Sequence, residues 1–349
     1  MHSSENISWF ADITLDDRGM VGGKGGSLGE LTRAGIEVPS GFVVRTNAFE
    51  RFLDTLEQEE PIRPRVEALS THDLAGVTAL SERTRARLES VALPEDVQLE
   101  ILAAHAELCG ERLNTPLAVR SSATTEDAED ASFAGLQDTY LWIMGAQATL
   151  HYVRSCWASL YSVPSIAYRR KHGMPEHGVA MAVVVQRMVD ARTAGVMFTR
   201  SPLTGDRSVI TIEATWGLGS AVVSGEVTPD RFVIAKITGE ITVRDISDKH
   251  VQHVPADGGG TKEIETPEHI RRSPSLSDEE LVALKEIARK VERHYGRPQD
   301  IEWAIDRSGK ILLLQSRPET VWSAKETTPV AKPVANPVHH VMNIFGGRR

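Results

Sequence analysis

A carboxylate, an amide oxygen and a guanidinium stand close together near the end of this chain, at Glu302, Gln315 and Arg317. On one buried face those three groups suit a magnesium-bound phosphate. Glu302 lies in the apolar run Ile301-Glu302-Trp303-Ala304-Ile305. Gln315-Ser316-Arg317-Pro318-Glu319 follows Ile311-Leu312-Leu313-Leu314. Asp306-Arg307-Ser308-Gly309 between the runs is turn chemistry, so the pair reads as a β-hairpin. With the turn centred on Arg307 and Ser308, Ile305 pairs with Lys310 and Glu302 lies opposite Leu313. Glu302, Leu313 and Gln315 then share one face, with Glu302 and Gln315 as diagonal neighbours about 7–8 Å apart or closer. Arg317 follows on that face if the strand continues. The competing reading of the hairpin alone is a salt-bridged sheet edge.

Three further segments could receive an anion or a ring. Gly22-Gly23-Lys24-Gly25-Gly26-Ser27 is not a Walker A loop: Arg18 stands where the first glycine belongs, and Gly25 where Ser or Thr should follow the lysine. A lysine among glycines still lets backbone N–H groups and an ammonium approach an anion, and the helix carrying Leu28 and Leu31 adds its dipole; a flexible loop is the alternative. Arg120 ends the run Leu117-Ala118-Val119 and could bridge phosphates with its fork, although a strand-end arginine also serves in surface ion pairs. Ser132-Phe133-Ala134-Gly135, leading to Thr139, reads as a small-residue hairpin tip able to lie over phosphates. Val183-Val184-Val185-Gln186-Arg187-Met188 is an apolar strand running into a polar break. It reads either as plain core or as an edge for adenine, with Met188 against the ring. Gly217-Leu218-Gly219 lacks the third glycine of a dinucleotide fingerprint, since Val222 occupies that place.

The elements that must position these residues alternate in texture. Apolar stripes place a helix after Thr46, read as its N-cap, and helical pattern over about Leu74–Leu108, with Pro94 opening a second helix. Strands are expected at Leu117–Val119, Thr139–Trp142, Val179–Val185, Gly195–Thr199, Val209–Glu213, Arg231–Ile234 and Glu240–Val243. Helices are expected at about Ala148–Leu160 and Ile166–His172. Residues 257–275 read as a surface loop, and Ser277-Asp278-Glu279-Glu280 as a capping box. Beyond Trp322 the chain is Pro-, Val- and Lys-rich, which reads as an extended tail. At 349 residues with 41% hydrophobic and 25% charged composition, the chain is globular with two or three lobes. Its net charge of −9 argues against a nucleic-acid partner. Two cysteines without metal or disulfide spacing, no spanning apolar run and no hydrophobic leader point to a cytoplasmic protein and no membrane partner.

In combination and in this order, these segments resemble the nucleotide-binding domain of the family of pyruvate phosphate dikinase, phosphoenolpyruvate synthase and rifampicin phosphotransferase. The motifs are Gly22–Gly26 with Lys24, Val119–Ser122 with Arg120, Ser132–Thr139, Val184–Val189, Ile212–Gly219, Val227–Asp230, and Glu302 with Gln315–Pro318. The resemblance covers roughly residues 8–322. It implies an α+β ATP-grasp fold with ATP clamped between two lobes of mostly antiparallel sheet. The lobes would span residues 1–189, with a helical insert at about 60–112, and residues 190–322, leaving 323–349 as the tail. The resemblance further implies that Lys24, Arg120 and Arg317 hold phosphates, Gly135 and Thr139 belong to the loop above them, and Gln186 lies at the adenine edge. Glu302 and Gln315 would hold Mg2+, with Mn2+ as its substitute, and Glu213 would meet ribose or a second metal. Such enzymes convert ATP to AMP and phosphate, passing the β-phosphoryl to a histidine in a Gly-rich Thr-Ser-His stretch of a swivelling domain. None of the twelve histidines here has that context. The expectation is therefore an ATP-dependent phosphotransferase needing a separate phosphohistidine domain or subunit, an acceptor-binding subunit and a small-molecule acceptor such as phenol or pyruvate. Phenylphosphate synthase, whose parts are distributed over subunits, offers one such setting. A nucleotide-binding regulatory subunit and an autonomous ATP-grasp ligase are the alternatives.

Overall fold

The computed structural model describes residues 4–70, 72–112, 114–124, 138–320 and 322. Gly135, its hairpin tip and the 323–349 tail lie outside them. The first sheet contains β1 (Ile7–Trp9), β2 (Gly41–Val44), β3 (Leu117–Ala123), β4 (Thr139–Ile143) and β5 (Met181–Arg187). They pair antiparallel in the order β1-β2-β5-β3-β4. β5 is central, and its near-continuous apolar run is what a strand covered on both faces requires. Val183 and Val185 join the core beneath the helices, while Ala182 and Val184 join the opposite cluster with Leu28 and Val43.

The second sheet contains β6 (Ala191–Phe198), β7 (Val209–Trp216), β8 (Asp230–Ala235) and β9 (Ile241–Asp245). The hairpin of β10 (Val251–Pro255) and β11 (Thr261–Glu265) stands beside it, and β12 (Gln299–Asp306) and β13 (Ile311–Pro318) complete it. The order is β13-β12-β6-β7-β8-β9, again antiparallel throughout. The two larger sheets thus draw on residues 7–187 and 191–318.

The helices are α1 (Arg18–Arg33), α2 (Thr46–Glu57), α3 (Arg63–Ala68), α4 (Leu74–Ser90), α5 (Glu95–Cys109), α6 (Ala146–Ser159), α7 (Val163–Lys171), α8 (Ser220–Val223), α9 (Glu268–Arg271) and α10 (Asp278–Tyr295). Phe49 and Phe52 of α2 pack on Trp157 of α6 in the core of the first sheet. On the second sheet Leu281, Leu284, Ala288 and Val291 of α10 cover Ile212, Phe232 and Trp303. The capping box holds: the Ser277 hydroxyl accepts from Glu280 N–H, and the Glu280 carboxylate from Ser277 N–H. Gly296 ends α10 in the left-handed conformation.

Four expectations are corrected. The glycine run is not a loop but part of α1, which kinks at Gly22 (φ 69°, ψ 178°). Ser122 of β3 staples that kink, donating to Val21 O at 2.8 Å and accepting from Gly25 N–H at 3.2 Å. A Cβ on Gly22 would stand 2.1 Å from Ser122 O, so glycine at this position serves close helix–sheet packing. Thr46 is the first residue of α2 rather than its cap, and its hydroxyl donates to Gly19 O. Residues 257–275 hold β11 and α9. In the last hairpin Glu302 pairs directly with Gln315 and Trp303 with Leu313, leaving Leu314 as a bulge. Leu313 consequently turns into the core with Trp303, away from the face of Glu302.

Candidate functional site

A cleft of about 670 Å³ opens between the two sheets. Lys24, Arg120, Thr139, Gln186, Glu213, Glu302, Gln315 and Arg317 all line it. Eight of the nine sequence-predicted residues are thereby brought together. The ninth, Gly135, is outside the described residues.

The bulge at Leu314 builds one wall. By keeping Glu302 opposite Gln315 and Asp300 opposite Arg317, it aims all four side chains to one face. Arg120 reaches this wall from β3. Its Nη1 donates to Leu314 O at 2.8 Å, and its Nη2 donates to Glu302 Oε2 and Gln315 Oε1, each at 2.8 Å. The bulged residue therefore supplies its carbonyl to the guanidinium. Arg120 Nε is buried and makes no hydrogen bond among the described residues. The arginine read from sequence as a phosphate bridge thus joins the sheets through the very acid–amide pair read as a metal site.

Asp300 was missed, though period-2 alternation from Glu302 points to it. Its Oδ2 lies 3.5 Å from Arg317 Nε, and its Oδ1 is buried without a hydrogen bond among the described residues. Burial pushes its carboxyl up to about 6, with Arg317 opposing and Glu319 adding. Glu213, beside Val196 and Arg231 in β7, is likewise raised by burial, against the pull of Arg231.

Lys24 is buried on α1, just past the Gly22 kink, where the helix restarts. Gln186 is buried too, but its amide donates to Pro39 O at 3.1 Å, and the N–H groups of Arg187 and Met188 are committed to Ser40 and Pro116 carbonyls. What this strand end adds to the cleft is mainly apolar: Val189, Leu218, Met188 and Leu314 cluster there. Such a surface accepts a ring face, while the charged wall accepts phosphates. Thr139 opens β4 opposite Arg120 and is exposed.

The donors fit a hard divalent ion. Asp300, Glu302 and Gln315 bring carboxylate and amide oxygens to one face, and Asp300 Oδ1 is a buried acceptor with no hydrogen bond among the described residues.

The family model for the pyruvate phosphate dikinase AMP/ATP-binding domain matches residues 18–336. The chain belongs to this family. It is 43% identical over 328 residues to a probable phosphoenolpyruvate synthase of Methanothermobacter thermautotrophicus, covering 93% of this chain and 47% of that protein. It is 43% identical over 310 residues to a rifampicin phosphotransferase of a Streptomyces species, covering 88% and 35%. With the phosphoenolpyruvate synthase of Pyrococcus furiosus the identity is 37%, covering 94% and 45%. The chain spans less than half the length of these relatives. It is a dikinase-type ATP-binding domain with the ATP-grasp fold, its two antiparallel sheets flanking the cleft. Among its described residues no helix is long and apolar enough to cross a membrane.

Proposed function

We propose that this domain converts ATP to AMP and phosphate by passing the β-phosphoryl to a histidine carried on a separate domain or subunit, for delivery to a small acceptor. The observation that carries this reading is the convergence of Lys24 and Arg120 from the first sheet's side with Asp300, Glu302, Gln315 and Arg317 from the second, in one cleft. Phosphoryl transfer asks for positioning and charge neutralisation more than for covalent chemistry by the protein.

Lys24 and Arg317 bring positive charge to the triphosphate. Arg120 exchanges its bonds to Glu302 and Gln315 for phosphate oxygens, which frees those two acceptors. Asp300, Glu302 and Gln315 are the residues that would hold Mg2+ or Mn2+. The bound ion supplies charge neutralisation and orientation of the phosphates. Met188, Val189 and Leu218 cover the adenine ring, Gln186 keeps their strand in place through Pro39, and Glu213 faces the ribose. Thr139 lies over the phosphates. The histidine nitrogen attacks the β-phosphorus from the open side, the bond from that phosphorus to the α,β-bridging oxygen breaks, and AMP leaves with that electron pair. The histidine then carries the β- and γ-phosphoryl groups, and water cleaves the β–γ anhydride, releasing phosphate and leaving the β-phosphoryl on the histidine. A partner protein supplies this histidine, the acceptor is phenol or pyruvate, with a phenylphosphate synthase as one setting, and the reaction runs in the cytoplasm. The two buried free thiols, Cys109 and Cys156, accord with a reducing compartment.

The test is product analysis with Mg-ATP, with and without a protein carrying a Gly-rich Thr-Ser-His stretch. AMP formed only with the partner, together with an acid-labile phosphohistidine, supports the reading. Steady ATP consumption by the chain alone, or ADP as its product, overturns it in favour of a ligase. Tight nucleotide binding with no turnover under any pairing leaves the regulatory alternative.

A further inference from the structure

Outside the cleft, His253 is held with unusual completeness for a residue on a peripheral hairpin. Its carbonyl accepts from Leu218 N–H at 2.9 Å. Gly217 (φ 73°) lies so close that a Cβ there would stand 2.4 Å from that same oxygen. The imidazole Nδ1 is 2.7 Å from Ser220 Oγ, and Nε2 is 2.6 Å from Glu226 Oε2. Glu263 stands directly across from His253 in the β10–β11 ladder. One ligand atom from each of Glu226, His253 and Glu263 lies within 4.8 Å of the others.

We propose that Glu226, His253 and Glu263 form a second divalent-cation site, selective for a late first-row ion of the Zn2+ class. Two carboxylates cancel the charge of the ion, and the imidazole nitrogen favours Zn2+ over the hard ions Mg2+ and Ca2+. With Nδ1 engaged by Ser220, Nε2 is the ligand, and the hydroxyl fixes tautomer and ring orientation as outer groups do at histidine-ligated metals. Ligand atoms around a tetrahedral ion at ~2.0–2.1 Å stand about 3.3 Å apart. The His253–Glu226 contact therefore opens slightly while Glu263 swings inward, and both exposed glutamates are free to turn. Water completes the coordination. An ion there ties β10–β11 to the Gly217–Val227 segment, whose Ser220 also lines the nucleotide cleft.

This inference is independent of the reaction assigned to the cleft, and the experiment keeps them apart. The full chain, stripped with chelator and kept in millimolar Mg2+, is titrated with Zn2+ calorimetrically and with Co2+ by visible absorption. One equivalent of Zn2+ at micromolar affinity or better is expected, with a tetrahedral Co2+ band and a raised melting temperature. Ser220→Ala should weaken binding by about 10–100-fold, as outer-shell changes do. His253→Ala and Glu263→Gln should weaken it further, whereas Glu302→Gln leaves it unchanged. Glu263 is exposed, so its glutamine variant keeps the fold even if the alanine at 253 does not. Absence of a stoichiometric site, or equal Zn2+ binding by Glu263→Gln and the parent chain, overturns the proposal and leaves His253–Glu226 a plain ion pair.

Discussion

At the scale of single residues, two groups carry most of the energetic tension in the cleft. Arg120 holds three acceptors, and bonds to charged groups are each worth about 1.5–3 kcal/mol. Losing one such bond to a phosphate changes affinity by roughly 10–150-fold. Arg120→Ala should weaken Mg-ATP binding in calorimetry by at least that much. Arg120→Lys should recover little, because one ammonium cannot hold Leu314 O and the phosphate oxygens at once as a fork does. Binding by Arg120→Lys equal to the parent would remove the guanidinium from the phosphate site. Asp300 makes a prediction in pH. Its carboxyl is raised on folding to about 6 by burial first, with Arg317 pulling down and Glu319 pushing up. A raised acid takes up protons on folding, so this group's contribution to stability falls as pH climbs from about 4 to about 6 and stays low above. Asp300→Asn should therefore be the more stable protein at pH 8, by roughly 1–3 kcal/mol, with the gain fading towards pH 4. Urea unfolding across that range checks it, and the same variant should bind Mg-ATP poorly. Equal stability of the two proteins at pH 8 would mean the carboxylate is not desolvated.

At the scale of elements, the kink in α1 decides where Lys24 stands. Gly22 occupies a backbone region open essentially to glycine, against Ser122 O. Gly22→Ala should cost about 3 kcal/mol or more in urea unfolding, from strain plus collision. Gly19, exposed in the same helix with nothing near its Cβ, should behave oppositely, Gly19→Ala stabilising by roughly 0.5–1 kcal/mol. A tolerated alanine at 22 would show that the helix does not need its break. The kink also explains what the sequence could not convey: a glycine run signals a loop locally, whereas Gly22 answers to Ser122 of β3, distant in the chain. The bulge at Leu314 is of the same kind, since pairing register belongs to two strands at once and apolar alternation is silent about an extra residue. The β10–β11 hairpin hid behind Gly258–Gly260 and its contacts to Leu218. By contrast, β5, β7 and α10 were legible because their patterns state their own burial, and Asp300 could have been read by stepping two residues back from Glu302.

At the scale of the whole molecule, the two sheets own separate cores, and apolar packing joins them through α1 and through Trp142 and Met188, which pack with Ala194, Leu218 and Ala304. Leu28 of that helix belongs to the first sheet's cluster and Leu31 to the second's. Ser27, between Gly26 and Leu28, donates to Ser316 O of β13 and accepts from Ser316 N–H. Further polar ties join the two halves, among them Leu313 N–H to Glu37 O, Gly260 N–H to Trp142 O, and the fork of Arg120. A nucleotide held by Lys24 and Arg120 on one side and by Asp300, Glu302 and Gln315 on the other would add to these ties across the cleft itself. Binding to the folded state alone, at a hundred times Kd, adds about 2.7 kcal/mol. In a chain of this size that is a rise of a few degrees in melting temperature. Glu302→Ala should abolish the rise when Mg2+ accompanies ATP. Hydrogen exchange gives the sharper reading, because a ligand bridging the sheets must slow opening on both sides of the cleft. Mg-ATP should protect β3 and the restart of α1 together with β12 and β13, in the same concentration range. Protection confined to one sheet would place the nucleotide elsewhere, since no triphosphate can touch Lys24 and Glu302 at once and stabilise only one of the elements that carry them.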